Sequence, residues 1–202
     1  MNMIGMFTFI VLILSIIIHE VAHGSVAYSL GDPTAKYAGR LSLNPLKHID
    51  PLGSVILPLI VYWQTGFFFG WAKPVPINPY NFKDQRWGEL KVAIAGPATN
   101  ILIGIVFGLF LRFIPLSQNI ASLFLNISYI NLFLGFFNLI PVPPLDGSHV
   151  LFSLLSHRFS NLRRNLERYQ IFFLVLAVLL FIKVGVYFVQ VLVLIIAGLP
   201  IS

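Results

Sequence analysis

The chain of 202 residues contains no cysteine, so it can build neither a disulfide framework nor a thiolate metal site. Charge is scarce as well: 10% of residues are charged, against about 25% in soluble domains. There are seven acidic residues and five histidines, and these are the only strong metal ligands available. With 57% hydrophobic residues, the composition is that of an integral membrane protein, sized for one compact membrane domain over residues 1–202. In a soluble protein the net charge of +6 would suggest nucleic acid. Here it reads as loop lysines and arginines that fix orientation, and no nucleic-acid partner is expected. No cleavable signal peptide is expected either. The first apolar run has no basic flank, and it leads into ionisable residues where a cleavage site would need small ones.

Those ionisable residues are the most informative part of the chain. The run from Ile4 to Ile18 carries no charge, and it ends in His19-Glu20-Val21-Ala22-His23. On a helix, H-E-x-x-H sets two imidazoles at i and i+4 on one face, spaced for a single Zn²⁺, with the glutamate placed as general base on an activated water. Ionisable groups at membrane depth are costly and mark functional sites by default. Hydrolysis at a metal centre below the membrane surface is the chemistry implied.

A first helix is expected over 3–30, ended by Gly31-Asp32-Pro33. Residues 51–62 are apolar, but only about a dozen long and broken by Pro58, which fits a re-entrant piece better than a span. Residues 67–87, centred on Gly70-Trp71-Ala72-Lys73-Pro74-Val75-Pro76, read as an extended hairpin or loop at the interface. The stretch 31–88 is thus a re-entrant and interfacial insertion. Further helices are expected over 89–114, with a kink and close packing at Gly96-Pro97, and over 120–156, broken at Pro141–Pro144. A basic loop from His157 to Arg168 leads into an apolar segment, 169–199. Lys183-Val184-Gly185 interrupts that segment, leaving one tilted helix or two shorter ones. If 51–62 enters and leaves by one face, every lysine and arginine except Arg112 and Lys183 falls on that face, which is then cytoplasmic. The fold expected is an all-α polytopic membrane protein, with about three transmembrane helices around a zinc site and one or two C-terminal helices.

Two histidines leave a catalytic zinc site one protein ligand short. Asp146, just after the proline run, is the leading candidate, since an unwound stretch can hold a carboxylate at depth. Taken alone, Asp146 also reads as the cap of the helix that resumes there. H-E-x-x-H at His19–His23, together with N-x-x-P-x-P-P-L-D-G at Asn138–Gly147, resembles the site-2 protease family of intramembrane zinc metalloproteases. Ala95-Gly96-Pro97-Ala98-Thr99-Asn100 also resembles that family's intervening helix. The resemblance implies one zinc per chain held by His19, His23 and Asp146, with Glu20 as base and Asn138 stabilising the oxyanion or orienting substrate. It further implies membrane-embedded substrates such as single-pass anti-sigma factors or remnant signal peptides, and a multi-pass plasma-membrane location with the active-site side toward the cytoplasm. No PDZ domain or CBS pair is visible in the chain, which resembles the short members of the family.

Other polar residues have plainer readings beside functional ones. His48 either supports a metal ligand or gates access to the site, or is simply an interfacial residue. His149, three positions after Asp146, neighbours the metal or makes a polar contact elsewhere. Asn100 should face the bundle rather than lipid, for a structural hydrogen bond or for a contact with substrate or site. A transporter or proton relay would also bury such groups, but it usually shows internal repeats and has no need of the i, i+4 pair. An inactive homologue would be expected to lack Glu20 or one of the ligands.

Overall fold

The computed structural model describes residues 3–48, 50, 60, 63, 73–155 and 160–200. Eight α-helices are present among them, and no strand. Helix α1 spans Met3–Ser29 and is followed by the short α2, Thr34–Tyr37. After the insertion come α3 (Gly88–Phe113), α4 (Gln118–Asn138), α5 (Asp146–Leu154) and α6 (Ser160–Arg168). The chain closes with α7 (Gln170–Leu180), a π-helical turn at Phe181–Gly185, and α8 (Val186–Ala197). Four stretches are long and apolar enough to cross a membrane: Gly5–Ser29, Gly88–Phe113, Gln118–Asn138 and Gln170–Ala197. The architecture is that of an all-α, multi-pass membrane protein.

Helix α3 is the central post, packing against α1, α4, α5 and α8, while α8 also rests on α4. Leu132, Val189 and Val193 form the buried contact between α4 and α8, with Ile101 and Phe181 packed around them. The segment 169–199 is one run of helix carrying a π turn, not two separate helices. At Gly185 a Cβ would collide with the ring of Phe181, so a residue without a side chain is what the widened turn accommodates.

The basic stretch expected as a loop is instead helical from Ser160 onward. Arg163 pairs with Glu167 at 2.9 Å, the i, i+4 spacing that supports a surface helix despite its charge. The re-entrant piece expected at 51–62 lies, apart from Ile60, outside the described residues, as do 67–72 of the expected hairpin. Residues 73–78 carry no regular secondary structure and then tighten into a 3₁₀ turn at Pro79–Asn81.

One buried carboxylate docks this insertion on α1. Gly31, at φ +107°, ends α1 in the left-handed region that glycine tolerates, and Asp32 follows with no exposed surface. Its Oδ1 accepts from the Thr34 backbone N–H at 3.1 Å, the Thr34 hydroxyl at 2.5 Å and Asn81 Nδ2 at 2.8 Å. Its Oδ2 accepts from the Asn78 N–H at 2.7 Å. The Lys83 N–H donates to the Leu30 carbonyl, and Phe82 is buried against Ala27 and Val92. Burial opposes ionisation of Asp32, but hydrogen bonds from Thr34, Asn78 and Asn81 outweigh it and hold the carboxyl below its ordinary range.

A lowered folded-state pKa stabilises the fold fully above the unfolded carboxylate value of about 3.9, and that stabilisation is lost as pH falls through the lowered value. Asp32→Ala should therefore cost about 3 kcal/mol, by stranding several donors. It should also flatten the loss of stability below pH 4, both effects being read from melting temperatures in detergent.

Candidate metal centre

Helical periodicity places the first two site residues. His19 and His23 are one turn apart on the buried face of α1, each 6% exposed. The third arrives from more than a hundred residues further along the chain. Helix α4 stops at Asn138, the proline run turns the chain, and α5 begins at Asp146. The Leu145 N–H bonds to the Val142 carbonyl and the Ser148 N–H to the Leu145 carbonyl, closing that turn. Asp146 Oδ2 lies 3.0 Å from His19 Nε2 and 3.3 Å from His23 Nε2, and the two Nε2 atoms are 3.0 Å apart.

Three electron-rich atoms at such spacing, in a low-dielectric interior, repel one another unless a proton or cation sits between them. Their separations suit a metal. Zinc bonds of 2.0–2.1 Å in tetrahedral arrangement put neighbouring ligand atoms about 3.3 Å apart. Two nitrogens and one oxygen, with the remaining direction open, are the donor set of a catalytic zinc site. Among the described residues these three are the group that could hold a metal ion. The His23 Nδ1–H donates to the Val92 carbonyl at 2.7 Å; since a carbonyl can only accept, Nε2 is left as the ligating atom.

Helix α3 reaches the centre because position 96 has no side chain. A Cβ on Gly96 would overlap both imidazoles, at 2.6 Å from His19 Nε2. Gly147 plays a similar part for α5, since a Cβ there would run into the Leu139 and Ile140 carbonyls.

A cavity of about 480 Å³ opens onto the three atoms, lined also by Glu20, Val75, Asn138 and His149. Glu20 Oε2 accepts the Val75 N–H at 2.8 Å. Asn138 spends one amide N–H on the Leu134 carbonyl at 2.9 Å, which leaves the other free to face the cavity. His149 stands exposed at the cavity wall, outside the three-atom group. His48 is not brought to the centre: it is 2% exposed, and its Nε2–H donates to the Ser42 carbonyl at 2.7 Å. Asn100 faces the bundle, fully buried, but its amide has no protein partner among the described residues.

Sequence reasoning missed the backbone supports of the site and the presence of Arg163 in the cavity wall. The Val92 carbonyl carries no residue-type signal. The Val75 N–H does leave a trace: in Lys73-Pro74-Val75-Pro76 the flanking prolines have no N–H, so Val75 offers an isolated donor.

The profile of peptidase family M50 matches residues 114–182, the stretch holding Asn138 and Asp146. YwhC of Bacillus subtilis, named as a candidate zinc metalloprotease, is 40% identical over 156 residues, covering 72% of this chain and 68% of that protein. A zinc metalloprotease of Methanocaldococcus jannaschii is 30% identical over 155 residues, 77% of this chain but 36% of that protein. Rip2 of Mycolicibacterium smegmatis, also named as a candidate zinc metalloprotease, is 29% identical over 157 residues, 73% of this chain and 57% of that protein. The chain thus spans from about a third to about two thirds of these relatives' lengths. No solved structure matches it.

Gly96→Ala should force α1 and α3 apart at the imidazoles. The expected result is a melting temperature in detergent lowered by the equivalent of about 1–3 kcal/mol, the usual cost of overpacking.

Proposed function

We propose, since the chain belongs to peptidase family M50, the site-2 proteases, and is a zinc metalloprotease, that it hydrolyses peptide bonds of membrane-embedded substrates inside the bilayer. The observation that carries this reading is the convergence of His19, His23 and Asp146 beside Glu20 in one cavity, with both histidines and Glu20 on a helix long and apolar enough to span a membrane. His19 Nε2, His23 Nε2 and Asp146 would hold one zinc per chain. When bound, zinc polarises the scissile carbonyl and acidifies water, which is the electrophilic part of the chemistry.

The chain's own groups supply the rest. Glu20 takes the proton of the attacking water and returns it to the leaving amine. The Val75 N–H, bound to Oε2, steadies that carboxylate and leaves Oε1 for the proton. The free N–H of Asn138 donates to the oxyanion as it develops. A helical substrate conceals its peptide bonds and must unwind before attack. Residues 73–78, of which Pro74, Val75 and Ile77 line the cavity, offer the Ile77 N–H and several carbonyls to pair with the unwound strand. Substrates of this class include single-pass anti-sigma factors and remnant signal peptides. The concentration of basic residues around the insertion and α6 supports a plasma-membrane orientation with that face in the cytoplasm.

Purified protein should carry close to one zinc per chain by elemental analysis, and Asp146→Ala should lose it. Glu20→Gln should keep the metal yet lower cleavage of a reconstituted transmembrane substrate at least a hundredfold, about the share expected of a general base. Retained cleavage in Glu20→Gln would assign the base elsewhere.

A further inference from the structure

The two imidazoles of the centre are not held alike. His23 gives its Nδ1–H to the Val92 carbonyl, whereas His19 Nδ1 is buried with no protein partner among the described residues. A metal-ligating histidine ordinarily donates its second ring N–H to an acceptor that fixes its tautomer and orientation. Buried polar groups are paired as a rule, and an exception calls for a cause.

Two neighbouring side chains share the condition. Asn100 on α3 is fully buried, with both amide atoms unpartnered among the described residues. Asn131 on α4 is 1% exposed; its Nδ2 donates to the Ile127 carbonyl and its Oδ1 is unpartnered among the described residues.

Helical register places these groups at one level. Val92, Gly96 and Asn100 succeed one another at four-residue steps along the buried stripe of α3. The Val92 carbonyl holds His23, Gly96 lies against both imidazoles, and Asn100 is the next step, about 6 Å further along the axis. On α4, Gly135 abuts the Pro97 carbonyl and Ile101, while the Ser128 hydroxyl donates to the Gly104 carbonyl at 2.7 Å. Asn131 therefore lies between two α3–α4 contacts, within a turn of Asn100. Asn126 Nδ2 donates to the Thr8 hydroxyl at 3.1 Å, which sets α1 alongside α4 and antiparallel to α3. Side chains lean toward the N-terminus of their own helix, so the His19 ring and the Asn100 amide lean toward each other.

We propose that Asn100 is the positioning residue of His19: through one buried water shared with Asn131 Oδ1, its amide takes up the His19 Nδ1–H and keeps Nε2 turned toward His23 and Asp146. Such a water accepts one bond and donates two, the usual count of about three for a buried water. Asn100 thereby does for His19 what the Val92 carbonyl does for His23. The inference rests on the zinc-site reading of His19.

Zinc affinity, measured by chelator competition on the full chain in detergent, tests it without a substrate. Asn100→Leu, close in size but without polar atoms, should weaken zinc binding about 10- to 100-fold. It should also alter the visible spectrum of the cobalt-substituted protein. Asn100→Ser, which keeps a donor and acceptor and leaves room for a second water, should restore affinity to within a few-fold of wild type. Wild-type affinity in Asn100→Leu would overturn the proposal. So would equal losses in the Leu and Ser variants that track a fall in the melting temperature of the zinc-free protein, the mark of a purely structural role. Wild-type protein that takes up no zinc would instead bring down the metal reading, and this inference with it.

Discussion

Two imidazoles and a carboxylate are held within 3.3 Å of one another inside an apolar bundle, and most of the architecture follows from making that tolerable. In low dielectric such a cluster is costly without a cation or shared protons to join it. Its members come from α1 and from the first residue of α5, so those helices must meet at one depth. Helix α3 closes the gap, and it can do so because Gly96 presents bare backbone to both rings. The same helix then supplies the Val92 carbonyl that sets the tautomer of His23. One helix thus provides both the room for the cluster and the orientation of one of its rings.

The position of Glu20 follows from a second, remote carboxylate. Glu20 is oriented by the Val75 N–H, and Val75 stands where it does because the irregular stretch leading to Asn78 is tied to Asp32. Asp32 is itself fixed by the end of α1, the helix that carries Glu20. The loop is closed: the helix bearing Glu20 also holds the clamp that positions its hydrogen-bond donor. A disturbance at Asp32 would reach the cavity through backbone alone, with no side chain of the site altered.

The parts legible in the sequence are those where residue type and spacing carry the chemistry. That His19 and His23 share one buried face could be read because four-residue spacing returns to the same side of a helix. That Asp146 would join the histidines was legible only beside H-E-x-x-H, since alone it reads as well as the cap of the helix that starts there. The helices of the core were legible from the lengths of their apolar runs. The supports at Val92 and Val75 were not, since backbone groups are the same at every position. The clamp at Asp32 was hidden because Gly-Asp-Pro reads equally well as a plain helix stop. The basic helix α6 was misread because its charge resembled a loop. Its Arg163–Glu167 pairing emerges only when the residues are laid on a helix.

The π turn at Phe181–Gly185 has a consequence for the last membrane segment as a whole. Insertion of one residue into a helical turn rotates everything before it by about 100° relative to everything after it. Residues on α8 meet α3 and α4 in one phase, while α7 presents its side chains in another. Lys183 sits at the seam between the two phases. Removing a single residue from this turn would leave composition and length almost untouched, yet it would swing every side chain of α7 onto a different bearing around the bundle. The last segment therefore behaves as two rotors on one axle, and the widened turn sets the angle between them.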